Sequence, residues 1–215
     1  MSKKLKTLIA IPCMDQVPAL FAQSLVALQK IGDCHVAFQM GSLVYTSRNE
    51  LAKLAMKEDF DYVLWLDSDM VINPDVMVRM ITTMQEKDID MLTGLYFRRT
   101  APYSPVLFER LEPTSRGWRW TDFESIPQDG LFEVAGCGFG CVCMSTEVIM
   151  SVQAKHGYLF HPLNNSGEDT SFCWRARDCG YKIYCDPTIE CGHVGYAVIN
   201  DAYWRSYKKD GVQNA

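Results

Sequence analysis

The sequence predicts an α/β fold in which a mostly parallel mixed sheet carries helices on both faces. In the first half of the chain, apolar runs of strand length alternate with segments of helical periodicity, which is the pattern of βαβ units. Residues 62–66 are apolar throughout, as strands buried on both faces of a parallel sheet are. A chain of 215 residues is long enough for one buried core, so we expect one domain over residues 1–215.

The first two strand–helix units follow from their apolar pattern and from the residues that end them. Residues 7–12 form a short apolar run closed by proline and predict the first strand. Residues 18–31 carry apolar side chains at helical spacing until Gly32, which predicts a helix. A second strand is predicted over residues 35–40, followed by a helix from about Ser47.

Two more strands and a helix complete the first half, which is Rossmann-like. Residues 62–66 predict the third strand, and Asn73-Pro74 opens a helix because proline suits the first helical turn. Residues 91–95 predict the fourth strand. Since crossovers between parallel strands are right-handed, such units cover both faces of one sheet.

The second half has a different pattern. Residues 102–130 are rich in proline, glycine and aromatic residues, which predicts a hairpin or an excursion over one edge of the sheet. Residues 131–144 predict a strand interrupted by glycines. The remaining predicted elements are helices over residues 146–156 and 169–179, a strand over residues 182–185 and a loop at residues 191–193.

Composition narrows the functional class. A net charge of −5 argues against nucleic-acid binding through bulk charge, and basic pairs such as Arg98-Arg99 are typical of a solvated surface. No apolar stretch approaches the roughly 20 residues of a membrane span, so we expect no transmembrane segment. Nine cysteines without a signal peptide favour a reducing compartment, and we expect a cytoplasmic protein.

Two aspartates follow the most apolar strand. Asp67 and Asp69 come directly after residues 62–66, at the strand end where open α/β sheets bind ligands. With one residue between them, they can direct oxygens at one divalent cation, Mn²⁺ or Mg²⁺, which would neutralise a diphosphate. The alternative is that they only cap a turn.

Residues 61–69, Asp-Tyr-Val-Leu-Trp-Leu-Asp-Ser-Asp, resemble the Asp-x-Asp region of GT-A glycosyltransferases related to family 2. In that family the carboxylates hold the metal bound to the diphosphate of a sugar nucleotide. The resemblance implies the GT-A fold, in which Rossmann-like strands bind a nucleotide-diphospho-sugar. It also implies a nucleotide-binding half over about residues 5–100, an acceptor-side half over about residues 101–196 and a tail over residues 197–215.

Two later segments extend this resemblance. Gly167-Glu168-Asp169 resembles the family's Glu-Asp segment at the start of a late helix, which implies Asp169, beside Glu168, as the general base. A helix N-cap would explain Asp169 as well. Cys191-Gly192-His193 resembles the C-terminal histidine that many GT-A enzymes use as a further metal ligand, although a lone histidine is often only a surface or core residue.

Other residues are expected beside the donor. Arg48 resembles the arginine of an Ala-Arg-Asn segment that related enzymes place next to the nucleotide, and the alternative is a solvated arginine at a helix start. Family-2 enzymes often hold uracil with an acidic residue after the second strand, where this sequence has Gln39 and Ser42. The residues expected at the nucleotide sugar are Pro12, Cys13, Asp15, Arg48 and Ser68.

A glycine-rich strand and several aromatic residues are expected on the acceptor side, because small residues leave room for sugar and aromatic rings stack on it. Packing in the core would explain the aromatic residues equally well. The glycines lack the Gly-x-Gly-x-x-Gly spacing of dinucleotide loops. The expected acceptor-side residues are Tyr96, Gly136, Gly138 and Trp118.

The resemblance implies a metal-dependent glycosyltransferase that moves a sugar from a nucleotide-diphosphate sugar, which we expect to be a UDP-sugar, to a hydroxyl acceptor with inversion. Three alternatives stay open: a retaining GT-A enzyme, a nucleotidyltransferase and a non-catalytic carbohydrate-binding module. The acceptor is open among lipid-linked glycans, proteins, small molecules and modified nucleic-acid bases.

Overall fold

The computed structural model describes residues 4–41, 43–114, 117–195 and 198–209. Its strands, in chain order, are β1 (Lys6–Cys13), β2 (Asp33–Met40), β3 (Tyr62–Leu66), β4 (Met70–Val71), β5 (Met91–Leu95), β6 (Leu107–Thr114), β7 (Gly117–Asp122), β8 (Phe132–Val134), β9 (Gly136–Cys137), β10 (Cys141–Ser145), β11 (Ile183–Glu190), β12 (Gly192–Val194) and β13 (Val198–Ile199). Its helices are α1 (Ala19–Ala27), α2 (Val44–Lys57), α3 (Val76–Lys87), α4 (Thr146–His156), α5 (Glu168–Asp178) and α6 (Asp201–Lys209).

Seven strands form the central sheet in the order β2-β1-β3-β10-β5-β11-β8. Strands β2, β1, β3, β5 and β11 run in one direction, while β10 and β8 run against them. The sheet is therefore mixed and mostly parallel, as the sequence predicts. The position of β10, antiparallel between β3 and β5, is what separates this sheet from a purely parallel one.

Helices cover both faces of this sheet. Helices α2, α4 and α5 pack their apolar residues into one core cluster, and α1 and α3 pack into a second cluster on the other face. The strands supply alternate residues to the two clusters, for example Trp65 to the first and Leu64 to the second. Both side chains are fully buried, which explains why β3 is apolar throughout.

The predicted strands of the first half are confirmed, and its helices differ at their ends. Helix α1 stops at Ala27, four residues before the predicted end, and α2 begins at Val44 instead of near Ser47. Gly32 has a φ of 75°, and a Cβ there would lie 2.3 Å from the carbonyl oxygen of Leu5. Only glycine fits this turn into β2.

The predicted excursion is the β6–β7 hairpin, which pairs with β9 in a small sheet of its own. The last part of the prediction needs correction, because β11 is longer than expected and residues 192–194 are a strand, not a loop. Strand β12 lies between β4 and β13 in a third sheet. This small sheet joins the chain near its C-terminal end to the turn that follows β3.

Helix α6 lies in the predicted tail, of which residues 198–209 are described. Trp204 is buried and stacks on Phe97, with ring centroids 5.3 Å apart. None of the helices in the described segments is long and apolar enough to cross a bilayer. All nine cysteines lie within the described residues, and none forms a disulfide.

Candidate active site

A cleft of about 320 Å³ opens at the carboxyl ends of β1 and β3, beside the first turns of α2 and α5. This is the edge at which α/β sheets bind ligands. Its lining combines carboxylates, two arginines and a histidine with a few apolar side chains. The lining residues are Pro12, Cys13, Met14, Gly41, Val44, Ser47, Arg48, Asp67, Ser68, Asp69, Arg99, Glu168, Asp169 and His193.

Asp67 and Asp69 lie in a tight turn directly after β3. The backbone N–H of Asp67 donates to the carbonyl oxygen of Gly140, and the N–H of Met70 donates to the carbonyl oxygen of Asp67. The two carboxylates have different partners: Asp67 Oδ1 lies 2.7 Å from Arg48 Nη2, and Asp69 Oδ2 lies 2.9 Å from Arg99 Nη1. The buried strand thus presents both acids to one cleft.

His193 reaches the same cleft through β12. In the backbone, His193 pairs with Met70 of β4, and the N–H of Val194 donates to the carbonyl oxygen of Asp69. His193 Nδ1 lies 2.8 Å from the carbonyl oxygen of Phe97, and Nε2 lies 3.5 Å from Asp69 Oδ1. A carbonyl only accepts hydrogen bonds, so the proton is on Nδ1, and the Nε2 of a neutral ring carries a lone pair facing the carboxylate.

This arrangement suits a divalent cation shared with a diphosphate. A lone pair and a carboxylate oxygen that face each other need a proton or a cation between them, and imidazole held by a carbonyl at Nδ1 is the usual form of a ligating histidine. Among the described residues, no three His, Cys, Asp or Glu side chains are gathered closely enough to enclose a metal by themselves. Mg²⁺ sites of nucleotide enzymes commonly use one or two carboxylates and complete the shell with phosphate oxygens and water.

Arg48 lies beneath the cleft and joins the two acidic segments. Its side chain is only 2% exposed, and its Nε lies 3.2 Å from Glu168 Oε1 while its Nη2 is bound to Asp67. Its guanidinium carbon lies 5.2 Å from the ring centroid of Phe139 and 5.8 Å from that of Trp65. Burial alone lowers the pKa of Arg48, but the charges of Asp67, Glu168 and Asp169 outweigh it and raise the pKa. The predicted alternative, a solvated arginine, is wrong.

Glu168 and Asp169 open helix α5. Asp169 Oδ1 accepts a hydrogen bond from the N–H of Thr170 at 2.6 Å, so the side chain satisfies one free N–H of the first turn. The N-cap position itself is Gly167, and no side chain caps it. Burial and the charge of Glu168 raise the pKa of Asp169 from 3.8 to about 6, despite the opposing hydrogen bond from Thr170.

Asp69 has the opposite environment. Burial raises its pKa, but the hydrogen bond and charge of His193 with its ring protonated, together with the charge of Arg99, outweigh it, so the pKa falls below 3.8. In that form of the ring, Nε2 donates to Asp69 instead of facing it with a lone pair. Asp69 is therefore held as an anion, whereas Asp169 can take up a proton near neutral pH. Two carboxylates of one cleft thus have different chemistry.

The structure brings most of the predicted nucleotide-side residues to the cleft. Pro12, Cys13, Arg48 and Ser68 line it, whereas Asp15 does not. Met14, which the sequence analysis did not single out, lines the cleft and is largely exposed. Of the two residues found where an acid was expected after β2, Gln39 lies within β2 and donates from Nε2 to the carbonyl oxygen of Met40, and Ser42 lies outside the described residues.

Three of the residues expected on the acceptor side are buried in the structure. Tyr96 is only 4% exposed and its hydroxyl accepts a hydrogen bond from the N–H of Gly140. A Cβ at Gly138 would lie 2.0 Å from that hydroxyl, and one at Gly136 would lie 2.8 Å from Leu111 Cδ2. These residues are small or buried because the core is tightly packed there, and a contact between them and an acceptor stays a prediction.

Trp118 is partly exposed but lies outside the cleft lining. Its Nε1 donates to the carbonyl oxygen of Leu163 at 2.7 Å, and its ring meets the edge of Trp174 at 6.3 Å. It therefore supports the loop that leads into α5. A contact between Trp118 and an acceptor stays a prediction.

Arg99 is the functional candidate that sequence reasoning missed, because the Arg98-Arg99 pair was interpreted as solvated charge. Arg99 lines the cleft and pairs with Asp69. It follows β5 and Phe97 in the chain, at the same edge of the sheet as Asp67. The rule that selected the two aspartates, polar residues just beyond a strand's carboxyl end, would also have selected Arg99.

Comparison with known proteins gives structural matches only. No family model and no curated protein matches the sequence. The crystal structure of A197 from STIV is similar at a TM-score of 0.66 and 18% identity, with 91% of this chain and 94% of that chain covered. The crystal structure of GalNAc-T7 with UDP, GalNAc and Mn²⁺ is similar at a TM-score of 0.62 and 10% identity, with 91% of this chain and 45% of that chain covered.

These matches cover nine-tenths of the chain and therefore bear on its fold as a whole. The chain has the GT-A type of α/β fold, with a mixed sheet and helices on both faces. At such identities the likeness shows the fold alone, and the chain spans less than half of the longer matched protein. Any activity has to be argued from the site.

Proposed function

We propose that this protein is a metal-dependent glycosyltransferase that transfers a sugar from a nucleotide-diphosphate sugar to a hydroxyl group, with inversion. The observation that carries the proposal is the convergence of Asp67, Asp69, His193 and Asp169 on one cleft at the carboxyl edge of the sheet. These residues come from three separate places in the chain, and core packing does not require them to meet. The match to a protein solved with UDP, GalNAc and Mn²⁺ supports a UDP-sugar as the donor.

Asp69, His193 and Asp67 would hold Mn²⁺ or Mg²⁺ together with the donor diphosphate. When bound there, the divalent cation neutralises the charge that develops on the leaving diphosphate. Pro12, Cys13, Met14 and Val44 form the less polar part of the lining, which suits the nucleoside. Arg48 holds the Asp67 carboxylate in orientation from below.

Asp169 is suited to the role of general base. Its oxygen would accept the proton of the acceptor hydroxyl while that hydroxyl oxygen forms a bond to the anomeric carbon. The bond from the anomeric carbon to the phosphate oxygen breaks at the same time, and the nucleoside diphosphate leaves with its electron pair. A base with a pKa near 6 is mostly ionised at neutral pH and still basic enough to help.

Purified variants in a transfer assay with UDP-sugars and Mn²⁺ test this proposal. Asp67→Asn and Asp69→Asn remove metal ligands, so we expect transfer and donor hydrolysis to be lost. Asp169→Asn should keep metal-dependent donor binding and lower transfer by about 100-fold or more, because a positioned base commonly contributes that much. The anomeric configuration of the product, measured by NMR, separates inversion from retention.

Asp129→Asn is the matched control, since Asp129 is exposed and lies outside the cleft lining. It should transfer sugar at the wild-type rate. Full activity of Asp67→Asn or Asp69→Asn in the presence of chelator would contradict the metal role. Unchanged turnover of Asp169→Asn would remove Asp169 from the role of base.

A further inference from the structure

Arg99 is the one basic side chain of the described cleft lining that combines a full positive charge with substantial exposure. It is 49% exposed, whereas Arg48 is 2% exposed and fixed between two carboxylates. Beyond the pair with Asp69, Arg99 Nη1 reaches the carbonyl oxygen of Val194 at a long 3.4 Å. Its guanidinium is therefore held mainly by one carboxylate that is also a candidate metal ligand.

The stem of Arg99 rests on Gly195. A Cβ at Gly195 would lie 3.4 to 3.5 Å from Cβ, Cγ and Cδ of Arg99, which is ordinary van der Waals contact. The stem thus runs along the strand segment that also carries His193. This packing places the guanidinium at the end of the cleft that holds Asp69 and His193 and leaves its outer side exposed to solvent.

The charges of the cleft favour a cation at this position and oppose an anion that enters without one. Four carboxylates line the cleft, namely Asp67, Asp69, Glu168 and Asp169. A diphosphate entering such a cleft is repelled unless positive groups meet it. Arg48 is buried and engaged, so Arg99 is the side chain available for bidentate phosphate contact.

We propose that Arg99 exchanges partners when the donor binds: a divalent cation displaces its guanidinium from Asp69, and the guanidinium then binds the donor diphosphate. This inference rests on the proposed function and adds a diphosphate ligand to the same site. Both cations compete for one carboxylate, so Arg99 opposes metal binding in the absence of nucleotide. Once diphosphate is present, Arg99 and the metal bind the same anion and support each other.

The two halves of the proposal predict opposite effects of one substitution, Arg99→Gln. Calorimetric titration with Mn²⁺ alone should show affinity higher by about 2- to 5-fold, because a competing, partly exposed ion pair is lost. Titration with UDP at saturating Mn²⁺ should show affinity lower by about 10-fold, because a charge-assisted phosphate contact is lost. Arg99→Lys keeps the charge and should show smaller changes of the same signs.

Arg98→Gln is the matched control. Arg98 is the neighbouring arginine, pairs with Asp122 at 3.7 Å and lies outside the cleft lining. It should bind Mn²⁺ and UDP as the wild type does. A general loss of positive charge would instead weaken UDP binding equally in both variants.

Each other outcome overturns the proposal. Unchanged Mn²⁺ affinity in Arg99→Gln contradicts competition at Asp69, and unchanged UDP affinity contradicts the phosphate contact. If both affinities fall, Arg99 is only a structural support of the site. If wild-type protein binds Mn²⁺ but no UDP, the proposed function fails while the Mn²⁺ titration still decides the competition, and if it binds neither, both proposals fail.

Discussion

At the scale of single residues, neighbours set the different protonation of two carboxylates in one cleft. Asp69 faces His193 and Arg99, so its pKa lies below the usual range. Asp169 is desolvated beside Glu168, so its pKa is about 6. Opposite charge favours ionisation and like charge opposes it, and this difference suits Asp69 to the proposed role of metal ligand and Asp169 to the proposed role of base.

The raised pKa of Asp169 predicts a pH-dependent stability. A pKa above the model-peptide value means that the folded protein binds this proton more tightly than the unfolded chain does. The stabilising contribution of the neutral carboxyl is therefore complete at acidic pH below about 3.8 and is lost as the pH rises through about 6. Asp169→Asn removes the charge and keeps an acceptor oxygen for the N–H of Thr170.

The quantity to follow is the free energy of unfolding of Asp169→Asn minus that of the wild type. We expect this difference to rise by roughly 1–2 kcal/mol as the pH is raised from about 4.5 to about 7.5. Urea unfolding in the presence of chelator measures this difference. Exposed Asp129→Asn serves as the control and should show little change with pH. A difference for Asp169→Asn that is flat or falls with pH would show that Asp169 is not destabilised by ionisation.

At the scale of elements, Arg48 ties three parts of the fold together. It lies in the second turn of α2, holds Asp67 at the end of β3 and holds Glu168 in the first turn of α5. The rings of Phe160 and Phe172 stack at 4.5 Å and attach α5 to the same core. The elements that carry the acids are thereby fixed relative to each other, which a preorganised site requires.

Arg48→Met should therefore destabilise the fold. Methionine matches the length of the side chain and suits the surrounding rings, but it leaves Asp67 and Glu168 without their shared counter-ion. We expect the free energy of unfolding to fall by about 3 kcal/mol, because removing one partner of a buried ion pair leaves uncompensated charge. Urea unfolding at neutral pH measures the change.

The combined variant Arg48→Met with Asp67→Asn and Glu168→Gln should recover part of this loss, since no unpaired charge is left. Arg110→Met is the control, since Arg110 is an exposed residue of β6, and it should change the free energy of unfolding by less than about 0.5 kcal/mol. A loss in Arg48→Met that the triple variant does not reduce would mean that Arg48 acts through packing alone.

At the scale of the whole molecule, the topology of the sheet brings the polar residues of the cleft to one edge. Strands β1 and β3 run parallel and end side by side, and β12 returns to this edge by pairing with β4. Helices α2 and α5 both point their first turns at it. The cleft therefore depends on the topology of most of the chain, since its lining residues extend from Pro12 to His193.

The sequence predicted the parts whose signal is local. Apolar runs and helical stripes gave the strands and helices of the first half, and acids after an apolar strand gave Asp67 and Asp69. The reversed direction of β10 had no such signal, because an apolar run reads the same in either direction. Its glycine-rich approach suggested room for sugar, although Gly138 and Gly140 leave space for Tyr96 and Gly136 leaves space for Leu111.

Residues whose role depends on long-range pairing were harder to predict. Arg48 looks the same in sequence whether it is solvated or buried, and only its contacts with residues 19 and 120 positions away distinguish the two. Arg99 needed the structure for the same reason, since its partner Asp69 lies on another loop. Sequence patterns describe residues that are close along the chain, so they do not predict ion pairs between residues that only the fold brings together.

The central claim, a metal-dependent nucleotide site built on Asp67, Asp69 and His193, is tested most directly by calorimetric titration of UDP into the protein. With Mn²⁺ present we predict binding, and with chelator, or in Asp69→Asn with Mn²⁺, we predict a loss of affinity of at least about 10-fold. Equal UDP affinity with Mn²⁺ and with chelator, or no UDP binding under either condition, would contradict the claim.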